Sequence, residues 1–534
     1  MLGLMMDVPL LVSSILRHAE TSHHDTAIVS RSHDGSLDRT SYAELASRSR
    51  RLARVLDRLG LGEGDRVGTL AWNSARHLEI YFAASGSGRV CHTVNPRLFP
   101  DQIADIVAHA GDAVLFVDPH LVPLVQSLAA RLPSVRAIVV MAAAESLPPQ
   151  GSLPALLFYE TLLAAEPDDY DWPRLDERTA AGLCYTSGTT GPPKGVLYSH
   201  RSTVLHAMTI SVPDGFGFSA VDACMPVVPM FHVNAWGLPY ASAMAGAKLV
   251  MPGPRLDGAS LLGLIRQEGV TITAGVPTVW MGLLDHVEAR GETLAPLKRV
   301  GIGGSACPPV MIERFAAQGI DVVHAWGMTE TSPVAVVNRP RHNQAALPPD
   351  DRNALCRKQG RPLFGVELRA VGPSGDEIPR DGEAFGAMLV RGPCVAARYF
   401  GSDGDDAFAT EGWFRTGDVV TIDSEGFVEI VDRAKDVIKS GGEWISSIEL
   451  ENIAIEHPAV QEAAVVACSD PHWGERPVLV AVLVEGTSFT AADMAALFEG
   501  RVARWMVPTE LRVVADLPHT ATGKLHKAAI RRLI

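Results

Sequence analysis

No window of the 534-residue chain reaches the ~18 uninterrupted apolar residues that a transmembrane helix needs. Its first stretch, Met1 to Leu16, is apolar but is broken by Asp7 and Pro9 and carries no basic leader. It reads as a first helix, not as a signal peptide. Cysteine is sparse: Cys91, Cys184, Cys224, Cys307, Cys356, Cys394 and Cys468 are dispersed, odd in number and form no Cys-x-x-Cys pair. That argues against a disulfide framework or a zinc site and favours a reducing compartment, so a cytoplasmic protein is expected. Basic charge is short as well, with 47 Lys and Arg against 61 Asp and Glu for a net −14. A general nucleic-acid surface is thereby disfavoured, and any anionic ligand falls to a local pocket. There is no short-period repeat and no low-complexity tract.

What the chain does have is an ordinary enzyme composition, 47% apolar and 20% charged, and a length that suggests three or four lobes. From Arg66 to Met141, strands and amphipathic helices alternate, and a second alternating run extends from Val221 to Ala325. Such alternation predicts βαβ units, here two doubly wound parallel sheets. Within it, His120–Leu132 is expected as one helix and Trp236–Ala245 as another, and the Ala/Pro-rich loop from Ala142 to Gln150 as a connection. From Leu363 to Phe400 short β segments and Gly-rich turns predict a small β-barrel or sandwich. A compact α+β domain follows to the C-terminus. The resulting fold class is α/β, with an N-terminal domain over residues 1–432, a hinge at 433–436 and a smaller, mobile C-terminal domain over 437–534.

Between two predicted strands lies Tyr185-Thr-Ser-Gly-Thr-Thr-Gly-Pro-Pro-Lys-Gly195. So many Gly, Ser and Thr cannot pack a core. They can wrap an oxyanion with converging backbone N–H groups and hydroxyls, while Lys194 adds charge. A Walker A loop requires Gly-Lys-Ser/Thr, which Pro193-Lys-Gly195 does not supply. Gly301-Ile-Gly-Gly-Ser-Ala306, with Asp321 further on, imitates a dinucleotide fingerprint. But Pro308 and Pro309 interrupt the helix that such a site needs, and Asp321 precedes its strand where the ribose-binding acid should end one.

The glycine-rich loop resembles the AMP-binding signature of the adenylate-forming superfamily, and matching motifs continue in order to Lys524. The whole chain is most similar to the fatty acid–CoA ligase branch, in particular to methylmercaptopropionate–CoA ligases and medium-chain acyl-CoA synthetases. The resemblance implies that Thr186, Ser187, Gly188, Thr189, Thr190 and Lys194 hold nucleotide phosphates. Gly303, Gly304, Ser305 and Ala306 would run beside the adenine and the acyl channel. In His324-Ala-Trp-Gly-Met-Thr-Glu330 it assigns Trp326, Gly327 and Met328 to the nucleotide, Thr329 to the α-phosphate and Glu330 to Mg²⁺. Asp418 and Arg433 would contact the ribose, which suits an acceptor-only carboxylate. The acyl pocket would comprise His232, Trp236, Gly303, Trp326 and Pro333. His232 stands where amino-acid-activating relatives carry an Asp, which favours a simple acid. Lys435 is the implied pivot, Gly441, Gly442, Glu443 and Trp444 the CoA tunnel, and Lys524, with Thr329 and His232, the catalytic set.

The implied reaction uses ATP, Mg²⁺ and coenzyme A to convert a short- or medium-chain acid, 3-methylmercaptopropionate among the candidates, to its thioester through an acyl-adenylate. A longer-chain ligase, a carrier-protein-loading enzyme, a luciferase-type monooxygenase and a non-catalytic ATP binder are the rivals. No nucleic acid or membrane-spanning segment is expected, and a homodimer is left open.

Overall fold

The computed structural model describes all residues except 2, 144–155, 187–191, 345, 403–405, 409–411, 442 and 521–523, together with the side chain of Glu443. Ser187, Gly188, Thr189, Thr190, Gly442 and most of the Ala/Pro-rich loop therefore lie outside the described residues.

Two sheets form the bulk of the N-terminal domain. The first is seven-stranded, in the order Leu156–Phe158, Ala137–Val140, Asp112–Val117, Arg66–Leu70, Val90–Thr93, Ala180–Tyr185, Gly195–Ser199. Its pairs are parallel up to the last, where Ala180–Tyr185 and Gly195–Ser199 form an antiparallel hairpin that brackets the Gly/Ser/Thr-rich loop. Parallel strands are covered on both faces and so read as continuous apolar runs. Asp112–Val117, every residue of which is buried, shows why.

The second sheet has nine strands, with a parallel centre of Asp321–Gly327, Arg299–Ile302, Ile272–Gly275, Ala223–Pro226, Lys248–Met251 and Ala27–Arg31. Antiparallel strands close it at both edges. The helices Val12–Ser22, Tyr42–Arg58, Ala75–Gly86, His200–Ser211 and Leu238–Ala245 lie in the core that the two sheets share. Asn73 ties them directly. Its Nδ2 donates to the Pro226 and Val228 carbonyls at 2.8 and 3.0 Å, and its Oδ1 accepts from Met230 N–H at 2.6 Å.

The small antiparallel unit is a four-stranded sheet, Glu367–Val371, Phe385–Arg391, Phe414–Ile422 and Val428–Arg433, in sequence order. Its pairing runs from the first strand to the last with no closing pair among the described residues. The C-terminal domain carries a separate sheet built on the long hairpin Val460–Asp470 and Gly474–Leu483. Against it lies the helix Ser447–Ile455, whose N-cap Ser446 accepts from Glu449 N–H at 3.1 Å.

Three expected helices differ. The first begins at Val12, not Met1, and Met1, Leu4, Met5, Met6 and Val8 are exposed. Pro9 has no N–H and biases Val8 to extended backbone, which keeps the helix from starting earlier. The stretch His120–Leu132 is a short α-helix, Val122–Leu128, between two 3₁₀ turns. Pro123 sits in its first turn, a position that starts helices but does not continue them. The third difference concerns Trp236, which is not on the helix that begins at Leu238 but in a turn before it.

Candidate active site

A cavity of about 380 Å³ opens where the two sheets, the four-stranded sheet and the C-terminal domain meet. The carboxyl end of strand Asp321–Gly327 supplies Trp326 and Gly327, and the turn that follows supplies Met328, Thr329 and Glu330. Ligand contacts in such sheets fall at this end of the strands.

One end of the cavity is polar. Asp418, buried on strand Phe414–Ile422, faces Arg433 on the neighbouring strand, with Arg433 Nε 3.0 Å from Asp418 Oδ1. The indole Nε1–H of Trp326 donates to the other oxygen, Oδ2, at 2.8 Å. A carboxylate has about four acceptor positions, so Asp418 can still accept from a ligand. Glu330 is also buried, and its Oε1 accepts from the Tyr399 hydroxyl at 2.6 Å. Burial pushes the Glu330 carboxyl above its usual range, and that hydrogen bond, with the charges of Arg433 and Lys194, opposes the shift. Lys194 Nζ lies over the Tyr399 ring, 4.6 Å from its centroid. Its backbone N–H donates to Thr186 Oγ1 at 3.0 Å, closing the base of the glycine-rich loop. Tyr198 holds the opposite side by donating to the Thr329 carbonyl at 2.6 Å.

The other end is apolar, lined by His232, Val233, Trp236, Pro333 and Val334. Burial and then the charge of Lys524 lower the His232 imidazole to about 3, so it is neutral. Val233, Asn234, Ala235 and Trp236 have φ of 42°, 53°, 50° and 58°, a complete left-handed turn of non-glycine residues. Left-handed backbone costs roughly 1–2 kcal/mol per such residue and persists only where the surroundings over-determine it. Here Cys184 Sγ donates to Asn234 Oδ1 at 3.4 Å, and His206 packs against Gly237, where a Cβ would lie 2.7 Å from its Nδ1. The turn swings the Trp236 ring towards the strand ends. A Cβ on Gly303 would lie 3.2 Å from Trp236 Cη2 and only 2.6 Å from the Ala325 carbonyl oxygen, and it is the second, backbone contact that calls for glycine.

The C-terminal domain closes the cavity with Lys524. Its Cε lies 3.6 Å from where a Cβ on Gly304 would be. Burial, helped by Arg433, lowers the ammonium to about 8 against the pull of Asp418 and Glu330. Thr520 and Lys524 are joined by paired contacts, Thr520 N–H to the Lys524 carbonyl at 2.7 Å and Lys524 N–H to Thr520 Oγ1 at 3.2 Å.

The structure thus brings Thr186, Lys194, His232, Trp236, Gly304, Trp326, Gly327, Met328, Thr329, Glu330, Pro333, Arg433, Lys435 and Lys524 to one cavity, with Asp418 bonded to two of them. Ser305 and Ala306 line a second space instead, a cleft of about 690 Å³ between the domains that shares Gly304, Arg433, Lys435 and Lys524 with the first. Gly441 and Trp444 line neither of these spaces. Trp444 stacks on Phe385 with centroids 5.2 Å apart, and Gly441 abuts Trp473. Sequence reasoning missed Tyr399 and Tyr198, which stand in no motif, and passed over Thr416, two residues before Asp418 in the stretch Gly412–Asp418.

Among the described residues no three His, Cys, Asp or Glu side chains gather as a metal cage. A lone buried carboxylate such as Glu330 does fit Mg²⁺, which takes one or two carboxylates and completes its shell with water and substrate phosphates.

Known proteins share the sequence and the fold over nearly the whole chain. The model of the AMP-binding enzyme family matches residues 15–400, and that of the AMP-binding enzyme C-terminal domain matches residues 449–524. The chain is 51% identical to the 3-methylmercaptopropionyl-CoA ligase of Ruegeria lacuscaerulensis, over 99% of this chain and 98% of that protein. It is 49% identical to the medium-chain-fatty-acid–CoA ligase of Ectopseudomonas oleovorans, over 99% and 97%. The crystal structure of the anthranilate CoA ligase AuaEII in complex with anthranoyl-AMP superposes with a TM-score of 0.86 at 25% identity, covering 99% of this chain and 98% of that one. The chain belongs to the AMP-binding enzyme family of the adenylate-forming superfamily.

Proposed function

We propose that the protein is an AMP- and pyrophosphate-forming acid–CoA ligase, and that its acid is short- or medium-chain. The observation that carries this reading is Lys524, a buried cation from a separate domain inserted into a cavity lined by Glu330 and Arg433. The substrate carboxylate attacks the α-phosphorus of ATP, the bond to pyrophosphate breaks, and an acyl-adenylate results. Lys524, Lys194 and the Thr329 hydroxyl compensate charge on the phosphate oxygens. Asp418 and Arg433 hold the ribose, and Trp326 flanks the base. Glu330 would hold Mg²⁺, which supplies further neutralisation of the phosphates. The neutral His232 leaves the acyl end without a charge to pair with an ammonium group, which suits an unsubstituted acid.

In the second half-reaction the CoA thiolate attacks the acyl carbon and AMP departs. Domain closure and reopening is a common way to stage such steps. The domains are taken as residues 1–432 and 437–534, with a pivot at Lys435 inside 433–436, and rotation would carry Gly441, Gly442, Glu443 and Trp444 towards the cavity. Trp236 and Pro333 narrow the acyl end. A thioether acid such as 3-methylmercaptopropionate, the substrate in the name of one relative, is of suitable size. The seven free cysteines are consistent with a cytoplasmic enzyme, and no helix among the described residues is long and apolar enough to cross a membrane. CoA-dependent AMP release over a panel of acids tests the reading. A maximum at short or medium chains supports it, and release with no acid of the panel overturns it.

A further inference from the structure

A buried polar relay joins the two domains on the far side of Lys524. Asp432 belongs to strand Val428–Arg433 and is paired across to Val419, so its backbone is part of the N-terminal domain's four-stranded sheet. Its side chain reaches the other way. Asp432 Oδ2 accepts from Ser447 N–H at 2.7 Å and from the Ser447 hydroxyl, at the first turn of the C-terminal domain's helix. The Ser447 oxygen in turn accepts from Lys527 Nζ at 2.5 Å, and Lys527 pairs with Glu451 at 2.7 Å. Glu451 is fixed by accepting from Val465 N–H at 2.8 Å. Beside the relay, the Ser446 hydroxyl donates to the Val431 carbonyl.

These contacts straddle the pivot segment. Residues 431 and 432 lie before it, Ser446, Ser447 and Lys527 after it, and Lys527 is three positions from Lys524. A swing about Lys435 therefore cannot keep them, and while they are made the Lys524 loop stays in the cavity. We propose that Asp432, Ser447 and Lys527 are positioning residues that latch the C-terminal domain in the orientation presenting Lys524, and that their contacts part for the second half-reaction. The proposal rests on the two-step reading above. None of the three lines the cavity of about 380 Å³, although Asp432 and Lys527 line the cleft between the domains onto which Lys524 also opens. Their mutual contacts bear on the first half-reaction through the placement of the domain.

Partly buried charges carry large penalties when one partner is removed, so a mild variant accompanies the severe one. Ser447→Ala removes only the relay oxygen, Lys527→Met removes the cation, and Lys527→Arg keeps it. Each is assayed for acid-dependent pyrophosphate release and for acyl-CoA formation from supplied acyl-adenylate. Limited trypsin cleavage between Arg433 and Lys439 reports the domain orientation without reference to catalysis.

Ser447→Ala and Lys527→Met should lower pyrophosphate release by about tenfold to a hundredfold, the scale of a misplaced catalytic group. Thioester formation should stay within about twofold of the parent, cleavage should quicken, and Lys527→Arg should restore the parent values. Equal losses in both half-reactions overturn the latch and place the pivot before Asp432. Unchanged rates with unchanged cleavage overturn it too. A parent protein that releases no pyrophosphate with any acid overturns the ligase reading instead, and the cleavage pattern then decides the latch alone.

Discussion

The two ends of the cavity are built by different means. At the polar end, side chains from separate elements are stitched to one another: Trp326 and Arg433 to Asp418, Tyr399 to Glu330, Tyr198 to the Thr329 carbonyl. At the apolar end the wall is made by backbone, the left-handed turn from Val233 to Trp236. Polar stitching fixes groups that must meet charge, where an error of one hydrogen bond matters. A twisted backbone sets a shape, and shape discriminates more gently.

That contrast orders the effects of substitution. The largest is expected at Lys524, where the polar end receives a charge from the C-terminal domain. Lys524→Ala should slow adenylate formation by about 10²–10³-fold, as for loss of one charge-stabilising donor, while acyl-CoA formation from supplied adenylate is largely spared. Equal loss in both half-reactions would remove the distinction between the two steps. Asp418→Ala should come next. It removes an acceptor for which charge-assisted bonds are worth about 1.5–3 kcal/mol each, and should raise the KM for ATP with the fold intact by circular dichroism. An unchanged KM would detach Asp418 from the nucleotide.

The third test is pH. The Lys524 amine of the free enzyme is lowered to about 8, so the cation is present below that pH and lost above it. kcat/KM for ATP, which reports free-enzyme ionisations, should be level below pH 8 and fall about tenfold per unit above it. A profile level to pH 10 would contradict it. The smallest change is expected at the apolar end. Trp236→Ala should shift preference gradually towards longer acids, since a hydrophobic pocket discriminates by about 1–3 kcal/mol per methylene. An acid profile that does not move would take Trp236 out of the wall.

The same contrast explains what could be read from the sequence. Helix Pro100–Ala110 and strands Lys248–Met251 and Arg299–Ile302 fall inside the two runs where alternating strands and helices are expected, because local pattern and tertiary burial agree there. Lys194, Trp326, Glu330 and Lys524 were legible through stretches that resemble the motifs of the adenylate-forming superfamily, and they meet at one cavity. Tyr399 was not, because a lone Tyr after an irregular stretch carries no local signal and its partner Glu330 lies 69 positions away. The conformation of Trp236 was not legible either. Val, Ala and Trp disfavour the left-handed region, and Asn, though enriched there, does not foretell a run of four; the contacts that hold it come from Cys184 and His206, distant in sequence. Met1–Leu16 misled for the opposite reason: its apolar residues suggest a helix, but only from Leu10 onward does a core receive them, and the helix starts at Val12.

The left-handed turn also sets stability against selectivity. Glycine adopts such backbone without the cost that Ala235 bears, so Ala235→Gly is the substitution at which the fold could relax. It is equally the one that would free the neighbouring Trp236 ring to wander. On this reading Ala235→Gly would raise stability slightly and, like Trp236→Ala, broaden the preference among acids by degrees. An alanine between Asn234 and Trp236 fits the trade-off expected wherever a site depends on strained geometry.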